Sequence, residues 1–481
     1  MMQGVKPYPA YKDSRVPWLG EIPDHWEVKP LKRWVKINRS VLPETTSDDY
    51  EFDYFDIGTV GTGFLTQRPQ RLKFGSAPSR ARRVIGADDT ILSTVRTYLK
   101  AVYYVAAAET KLVASTGFAV LTPGASTEPR FVSYLALSEA LTNRVTAESV
   151  GIAYPAITET ALGNFPVGIP PLGEQVAIVH FLNYADQRIR RYIRGKQKLI
   201  ALLKEQQQAV IHHAITGGLD PSVRLKRSGV RWLGDIPEHW RVAQVRSVAR
   251  VVRGGSPRPA GSPLYFHGSD EPWITVGEIT RDPGMYLVST STRLTNAGVK
   301  HSRTVESGTL LLTNSGATLG IPKITHIRGC INDGVAAFLN LRPDIYKEFF
   351  YFFWATQTTH LRAWVYLGAQ PNLNTQIIGG WPIVLPTLRE QENIVERIKR
   401  EVAPVAEAMA KAAQEIGLIR DYRTRLIADV VTGKLDVREA AANLPNEVEE
   451  PEELSLVDEV SGDEGGAELA SEGLAEEEAI V

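Results

Sequence analysis

The sequence holds one cysteine, Cys330, among 481 residues, so no disulfide can close within the chain. That usage fits a reducing compartment, and a lone cysteine reads as buried filler rather than a nucleophile. No run approaches the roughly 20 apolar residues that span a bilayer, and Met1-Met2-Gln3-Gly4-Val5-Lys6-Pro7 lacks the apolar stretch of a secretory leader. A soluble, cytoplasmic chain with no membrane partner is expected. Catalytic signatures are missing too. No Gly-x4-Gly-Lys-Ser/Thr loop is present to cradle a nucleoside triphosphate, and no Asn/Asp-Pro-Pro-aromatic motif. The glycine-rich run Gly58-Thr59-Val60-Gly61-Thr62-Gly63 has no helix start behind it and reads as a turn. His212-His213 lacks a second ligand cluster and reads as helix surface, so no metal site is expected. The chain should carry no catalytic residue and no cofactor of its own.

What is present is an uneven distribution of charge. The formal net charge is −1, with 54 basic and 55 acidic residues. Fifteen of the acidic residues, and no Lys or Arg, fall in 439–481, so residues 1–438 hold 40 acidic against 54 basic. A basic body suits a partner rich in phosphates. The Glu/Gly/Ala/Ser-rich end reads as a disordered tail.

The chain also repeats itself. Val16-Pro17-Trp18-Leu19-Gly20-Glu21-Ile22-Pro23-Asp24-His25-Trp26 returns as Val230-Arg231-Trp232-Leu233-Gly234-Asp235-Ile236-Pro237-Glu238-His239-Trp240. Pro170-Pro171-Leu172-Gly173-Glu174-Gln175 returns as Pro386-Thr387-Leu388-Arg389-Glu390-Gln391, and Thr216-Gly217-Gly218-Leu219-Asp220 as Thr432-Gly433-Lys434-Leu435-Asp436. Three motifs in one order at nearly one offset mark a duplicated half-molecule; a solenoid would repeat every 20–50 residues or so. Fainter echoes set Thr90-Ile91-Leu92-Ser93-Thr94 beside Thr309-Leu310-Leu311-Leu312-Thr313, and Gly151-Ile152-Ala153-Tyr154-Pro155 beside Gly368-Ala369-Gln370-Pro371. The frame recurs while the content between differs. The two tryptophans of the first motif, Trp18 and Trp26, recur unchanged as Trp232 and Trp240, which suits core or docking roles better than base stacking.

Within each half, short β-branched and aromatic runs alternate with Gly/Pro/Asn/Asp turns and a few helical stretches, an α+β pattern. Each half closes on a long helix. In the first, Ile178, Leu182, Ala185, Ile189, Tyr192, Leu199, Leu203 and Val210 follow a 4-3 spacing, with Lys196 and Gln206 as misses. In the second, Ile394, Ile398, Val405, Ala408, Ala412, Ile419, Tyr422 and Leu426 do so, with Glu401 and Glu415 as misses. Pro404 should kink or interrupt the second helix, and Gly217 and Gly433 stand where helix caps belong. Equivalent seams predict antiparallel coiled-coil pairing, two pseudo-twofold-related globular domains and helices of about 60 Å. The expected segments are an N-terminal piece (1–15), a first domain (16–172), a first helix (173–217), a linker (218–229), a second domain (230–388), a second helix (389–433) and a tail (434–481).

The doubled Trp-Leu-Gly-Glu/Asp-Ile-Pro-x-His-Trp, each Pro-x-Leu-x-Glu-Gln junction and each closing Thr-Gly segment resemble the specificity subunits of type I restriction–modification systems over residues 16–438. The resemblance implies that each globular domain is a target-recognition domain reading one half of a split double-stranded DNA site. It implies that the helices space the domains and dock two methyltransferase subunits, and that restriction subunits join the assembly. S-adenosylmethionine, ATP and Mg would belong to those partners. A coiled-coil interaction scaffold without DNA specificity, or a fused restriction–modification enzyme with an unrecognised catalytic part, are the rival readings.

Candidate DNA-contacting residues follow from side-chain chemistry, since Arg can grip guanine edges and Asn or Gln adenine edges, while other cations bind phosphate. In the first domain they are Gln67, Arg68, Arg71, Lys73, Arg80, Arg82, Arg83, Arg96, Tyr98 and Lys100. In the second they are Arg253, Arg258, Asn314, Ser315, Gln370 and Asn372, with Asn374 a further amide.

Overall fold

The computed structural model describes residues 4–152, 154–316, 318–367 and 372–445. The chain divides into two units, one of residues up to Gln197 together with those from Ala413 onward, the other of Lys198–Ala412. Both long helices are therefore shared. The first, Leu172–Gly217, begins in the first unit and ends in the second, and the second, Leu388–Val431, runs the opposite way.

The first unit is built on two four-stranded sheets. In one, Leu112–Ser115 lies parallel to Glu51–Phe55 and antiparallel to Ala81–Ile85, with Gln70–Lys73 at the edge. In the other, Phe118–Pro123 pairs antiparallel with Val35–Ile37 and Thr90–Ser93, and Val102–Tyr104 extends it. Helix Pro129–Leu137 covers the second sheet, with Glu139–Ala147 packed beside it, and Phe131, Val132 and Leu135 join its core. Pro166–Ile169 pairs with Glu27–Pro30 and leads straight into the first long helix.

The second unit repeats this wiring. Phe266–Ile274 lies parallel to Gly329–Ile331, and Val335–Leu339 pairs antiparallel with Arg250–Arg253 and Leu310–Thr313. Pro382–Leu385 pairs with Arg241–Gln244 before the second long helix. Helix Lys347–Leu367 packs Phe349, Phe350, Phe353 and Trp354 into the core. The fold is α+β. The hydrogen bonds also adjust one echo read from the sequence. Thr94 N donates to Gly117 O as Asn314 N donates to Gly334 O, so Thr94 matches Asn314 rather than Thr313.

The helix seams are densest near the globular cores. In the first unit Ile178, Leu182 and Ala185 share a core with Leu426, Ile427 and Val430. In the second Ala214 and Ile215 share one with Ile394, Val395 and Ile398. Within the first unit the two helices of the seam run antiparallel, because Asp186 pairs with Arg423 and Lys196 with Glu415, the latter at 2.7 Å. Two apparent misfits in the seam are thus each other's partners, and Tyr192 donates to the same Glu415 at 2.9 Å. A paired polar position of this kind fixes register in a helix pair. Burial pushes the Asp186 carboxyl up, but Arg423 and Arg190 outweigh it and hold it below its ordinary range.

Four expectations need correction. Pro404 does not interrupt the second helix, which is continuous from Leu388 to Val431; Pro404 is exposed, where water can satisfy the carbonyl it leaves without a partner. Gly218, not Gly217, takes the left-handed conformation at φ +76°, matching Gly433 at φ +80°. The tail does not start at 434: Asp436 exchanges backbone hydrogen bonds with Lys6 (3.3 and 2.7 Å), and helix Arg438–Ala442 buries Ala440 and Ala441. The expected disordered part from 446 onward lies outside the described residues. The segment 1–15 is not separate either, since Tyr8 is buried in the first unit's core and Tyr11–Asp13 pairs with Glu21–Pro23.

Candidate nucleic-acid interface

The recurring motifs form a clamp at each helix start. In the first unit Glu174 is buried and accepts hydrogen bonds from Tyr8 Oη (2.7 Å) and Trp26 Nε1 (2.8 Å), with His25 Nε2 at 2.7 Å and Arg438 Nη1 at 3.8 Å. Burial and the neighbouring Glu174 push the Tyr8 hydroxyl pKa well up. Gln175 ties the same corner to Pro170 O at 2.9 Å and accepts from Glu128 N at 2.8 Å. In the second unit Glu390 meets His239 Nε2 at 2.6 Å and Trp240 Nε1 at 3.4 Å, while Gln391 bonds Pro386 O at 3.0 Å and accepts from Tyr346 N at 2.8 Å. Burial pushes the Glu390 carboxyl up, but hydrogen bonds from His239, Thr387 and Trp240 outweigh it and bring it down to about 2. The shared sequence is scaffold. Trp26 and Trp240 are buried, and Trp232 stacks on Trp381 with ring centroids 5.7 Å apart.

The differing sequence forms loops on that scaffold. In both halves a seven-residue loop follows the strand that pairs beside Phe118–Pro123 or Val335–Leu339. Loop 94–100 opens at Thr94 N to Gly117 O and closes with Ser93 N on Ala101 O; loop 314–320 opens at Asn314 N to Gly334 O and closes with Thr313 N on Ile321 O. The two have the same left-handed positions, filled by different residues. Gly316 (φ +74°) and Gly320 (φ +89°) hold them in the second half, Arg96 (φ +48°) and Lys100 (φ +49°) in the first. A side chain there costs on the order of 1 kcal/mol. Strained non-glycine positions concentrate at functional sites.

The structure sorts the sequence candidates by what they already touch. Arg71 lies between Glu51 and Asp53 (3.4 Å each), Lys73 meets Asp49 at 3.1 Å, Arg80 meets Asp56 at 3.1 Å, and Arg83 pairs with Glu159. Arg82 stacks over Phe74 at 4.7 Å and donates to Ser79 O. Their charge is answered by carboxylates on neighbouring strands or spent on packing. Gln67 and Arg68 are exposed, with no side-chain hydrogen bond or ion pair among the described residues. Arg96 and Lys100 likewise have no carboxylate partner there; Arg96 lies over the Tyr154 ring at 4.9 Å, and Tyr98 between them is exposed.

In the second unit Asp333 gathers the candidates. Its carbonyl accepts from Arg253 Nε (2.6 Å) and Asn314 Nδ2 (3.4 Å), and its carboxylate from Ser256 Oγ (2.5 Å), with Arg258 at 3.8 Å. Loops 253–258 and 313–316 are thereby brought to one place. Asn314 is buried, so it sets the loop rather than presenting its amide to solvent, while Ser315 is half-buried beside it. Asn372 is exposed. Asn374 spends its side-chain oxygen capping helix Thr375–Gly380 through Gln376 N and Ile377 N. Gln370 lies outside the described residues.

Three exposed apolar side chains escaped a search for charge: Val150, Ile152 and Tyr154. The glycine–proline echo around them was the available signal. Among the described residues no His, Cys, Asp or Glu group is arranged to hold a metal, and no helix is long and apolar enough to cross a membrane. The run 58–63 folds as a turn in which Gly61 N donates to Phe64 O and Val60 bridges Leu65.

Comparison with known proteins follows the same duplication. The model of the type I restriction modification DNA specificity domain matches twice, over residues 23–200 and 237–416. A putative type I restriction enzyme MjaX specificity subunit of Methanocaldococcus jannaschii is 23% identical over 449 residues, covering 87% of this chain and 96% of that protein. The type I restriction enzyme MjaIX specificity subunit of the same organism is 28% identical over 130 residues, covering 26% of this chain and 29% of that protein. A solved chain from work on complex assembly and conformational transition of the type I R-M system superposes with a TM-score of 0.64 at 22% identity, over 85% of this chain and 98% of that one, which is a likeness of fold.

Proposed function

The chain belongs to the type I restriction modification DNA specificity family, and we propose that its two globular domains each read one half of a bipartite DNA target through loops 94–100 and 314–320 and the side chains around them. As a specificity subunit it is a non-catalytic component of the restriction–modification complex. One observation supports this division most. The clamp residues recur in both halves, whereas loops at matching positions differ at six of seven residues, and the one that agrees is exposed as Leu99 in the first half and buried as Leu319 in the second. A surface that meets a common partner twice should repeat, and one that meets two different DNA sequences should not.

Two linked readers make the second contact intramolecular, so two modest half-site affinities combine. Each good bidentate base contact supplies about 1–3 kcal/mol of discrimination, so a few per half suffice. Gln67, Arg68, Arg96, Tyr98 and Lys100 serve the first half-site, and Arg253, Arg258, Ser315, Gln370 and Asn372 the second. Arg71, Lys73, Arg80, Arg82, Arg83 and Asn314 act behind them, holding strands and loops. Two methyltransferase subunits dock on the complex, bringing S-adenosylmethionine, and restriction subunits bring ATP and Mg; the work is done in the cytoplasm.

The test is co-expression with the methyltransferase and restriction subunits, followed by single-molecule sequencing of methylated adenines. A split motif is expected, and replacing residues 40–160 with those of a relative should change only one half of it. A stable complex that methylates no defined sequence would defeat the assignment.

A further inference from the structure

We propose that Ile152 is an apolar wedge that enters the first DNA half-site between neighbouring base pairs and unstacks that step, an inference resting on the DNA-reading function above. Ile152 is 105% exposed, Val150 82% and Tyr154 59%, a group of large side chains turned mostly to solvent. They are not on a loose strand of chain. Val150 and Ala156 exchange two backbone hydrogen bonds of 2.9 and 3.0 Å, closing a hairpin whose turn includes Gly151 at φ +124°. The hairpin is tied to the reading loop: Val95 bridges Ala156, Ile157 N donates to Thr94 O at 2.9 Å, and Thr97 Oγ1 bonds Ser149 Oγ at 2.9 Å. The tip therefore lies against loop 94–100, with Arg96 stacked on Tyr154 at 4.9 Å.

Cations without carboxylate partners beside an exposed aliphatic tip match what a kinked duplex offers, phosphates flanking an opened apolar base step. A protein partner fits less well. The matching segment of the second half reads Gly368-Ala369-Gln370-Pro371, small and polar where the first is large and apolar. A subunit bound by both halves would meet like surfaces; a DNA site with unlike halves would not. The wedge is then a property of one half-site only, adding selectivity for steps that unstack easily, such as pyrimidine–purine steps.

The experiment uses the full chain in complex with its methyltransferase subunits and a duplex carrying the site mapped from its methylated adenines. 2-Aminopurine replaces, in turn, each adenine of the first half-site other than the methylated one, and its fluorescence reports unstacking. The wild type should brighten at one step, and Ile152→Ala should lose that signal. The same substitution should weaken binding to the mapped site about 10-fold while leaving a random duplex unchanged, because non-specific binding is electrostatic. Ile152→Leu should restore both. An exposed residue should leave the unfolding midpoint untouched, which separates the effect from misfolding. Unchanged specific binding with no bright step, in a complex that still methylates its site, overturns the wedge alone. Loss of methyltransferase assembly in the absence of DNA also overturns it and assigns the hairpin to a protein partner. Absence of any sequence-specific methylation removes the DNA-reading function and this inference with it.

Discussion

The clamps at Glu174 and Glu390 are built from the same motif and differ in depth. Glu174 exposes only 5% of its side chain and faces four partners, two of which, Tyr8 and Arg438, come from segments far apart in sequence. Glu390 exposes 34% and relies on His239, Trp240 at a long 3.4 Å, and its own Thr387. Closely similar local sequence has thus produced a dry junction and a wet one. The difference lies in what surrounding chain is available to cover it. A buried carboxylate with several donors is costly to disturb, and a half-exposed one can turn to water.

This contrast should be largest at the helix ends packed under the two tryptophans. A Cβ on Gly433 would stand 2.4 Å from Pro23 Cδ, whereas one on Gly218 would stand 3.3 Å from Trp240 Cζ2. Both positions carry the left-handed penalty of on the order of 1 kcal/mol, but only Gly433→Ala adds a clash of about 1–3 kcal/mol. Urea unfolding should show the gap, and equal losses would mean the two ends are packed alike after all. Next comes the clamp itself. Glu174→Ala strands Tyr8 and Trp26 donors and should cost about 3 kcal/mol, against about 1 kcal/mol for Glu390→Ala. Calorimetry that ranked them in reverse would dismantle the dry–wet distinction.

A third expectation concerns acid. The Glu390 pKa is depressed to about 2 from an ordinary 4.5, so its stabilising contribution is complete above pH 4.5 and disappears as pH falls from 4.5 toward 2. Glu390→Gln should flatten the acid limb of the stability profile in that window; an unaltered limb would show that the carboxylate contributes nothing there. The smallest effect compares loops 94–100 and 314–320. Arg96→Gly and Lys100→Gly should each stabilise the fold by about 0.5 kcal/mol, because glycine already fills those positions in the other half, while weakening DNA binding. If thermal stability falls instead, the two loops do not share a backbone.

Much of the frame was legible because it is written twice. The three recurring motifs mark the clamp and both helices; of the seam positions Ile178, Leu182, Ile394, Ile398 and Leu426 are buried while Tyr192, Leu199 and Tyr422 are largely exposed, and the misfits Lys196 and Glu415 proved informative once paired. The loops were harder. A run rich in Arg between 67 and 83 looks like a binding face, yet Glu51, Asp53, Asp49 and Asp56 stand on or beside a neighbouring strand and neutralise much of it. That is a matter of strand pairing, which spacing along the chain does not record. Exposure of an apolar residue is equally invisible: Ile152 and Ile157 read alike in sequence, and one is fully in solvent while the other is buried. The left-handed pair Arg96 and Lys100 could have been suspected only by aligning them with Gly316 and Gly320, which requires a register that the faint echo missed by one residue.

The bridge between Lys6 and Asp436 has its own consequence. In the second unit the same corner is made by uninterrupted chain: Glu238 N donates to Arg224 O as Asp24 N donates to Ala10 O, and Leu225–Arg227 pairs with Asp235–Pro237 as Tyr11–Asp13 pairs with Glu21–Pro23. Residues near Asp220 thus do covalently what Lys6 and Asp436 do by hydrogen bonding. One corner is closed by hydrogen bonds between segments far apart in sequence and the other by the chain itself. Joining residue 436 to residue 6 and opening the chain near 221 would exchange the order of the domains while keeping the contacts within each. The order of the two domains along the chain is then set by where the chain is open, and not by the contacts that fold each of them.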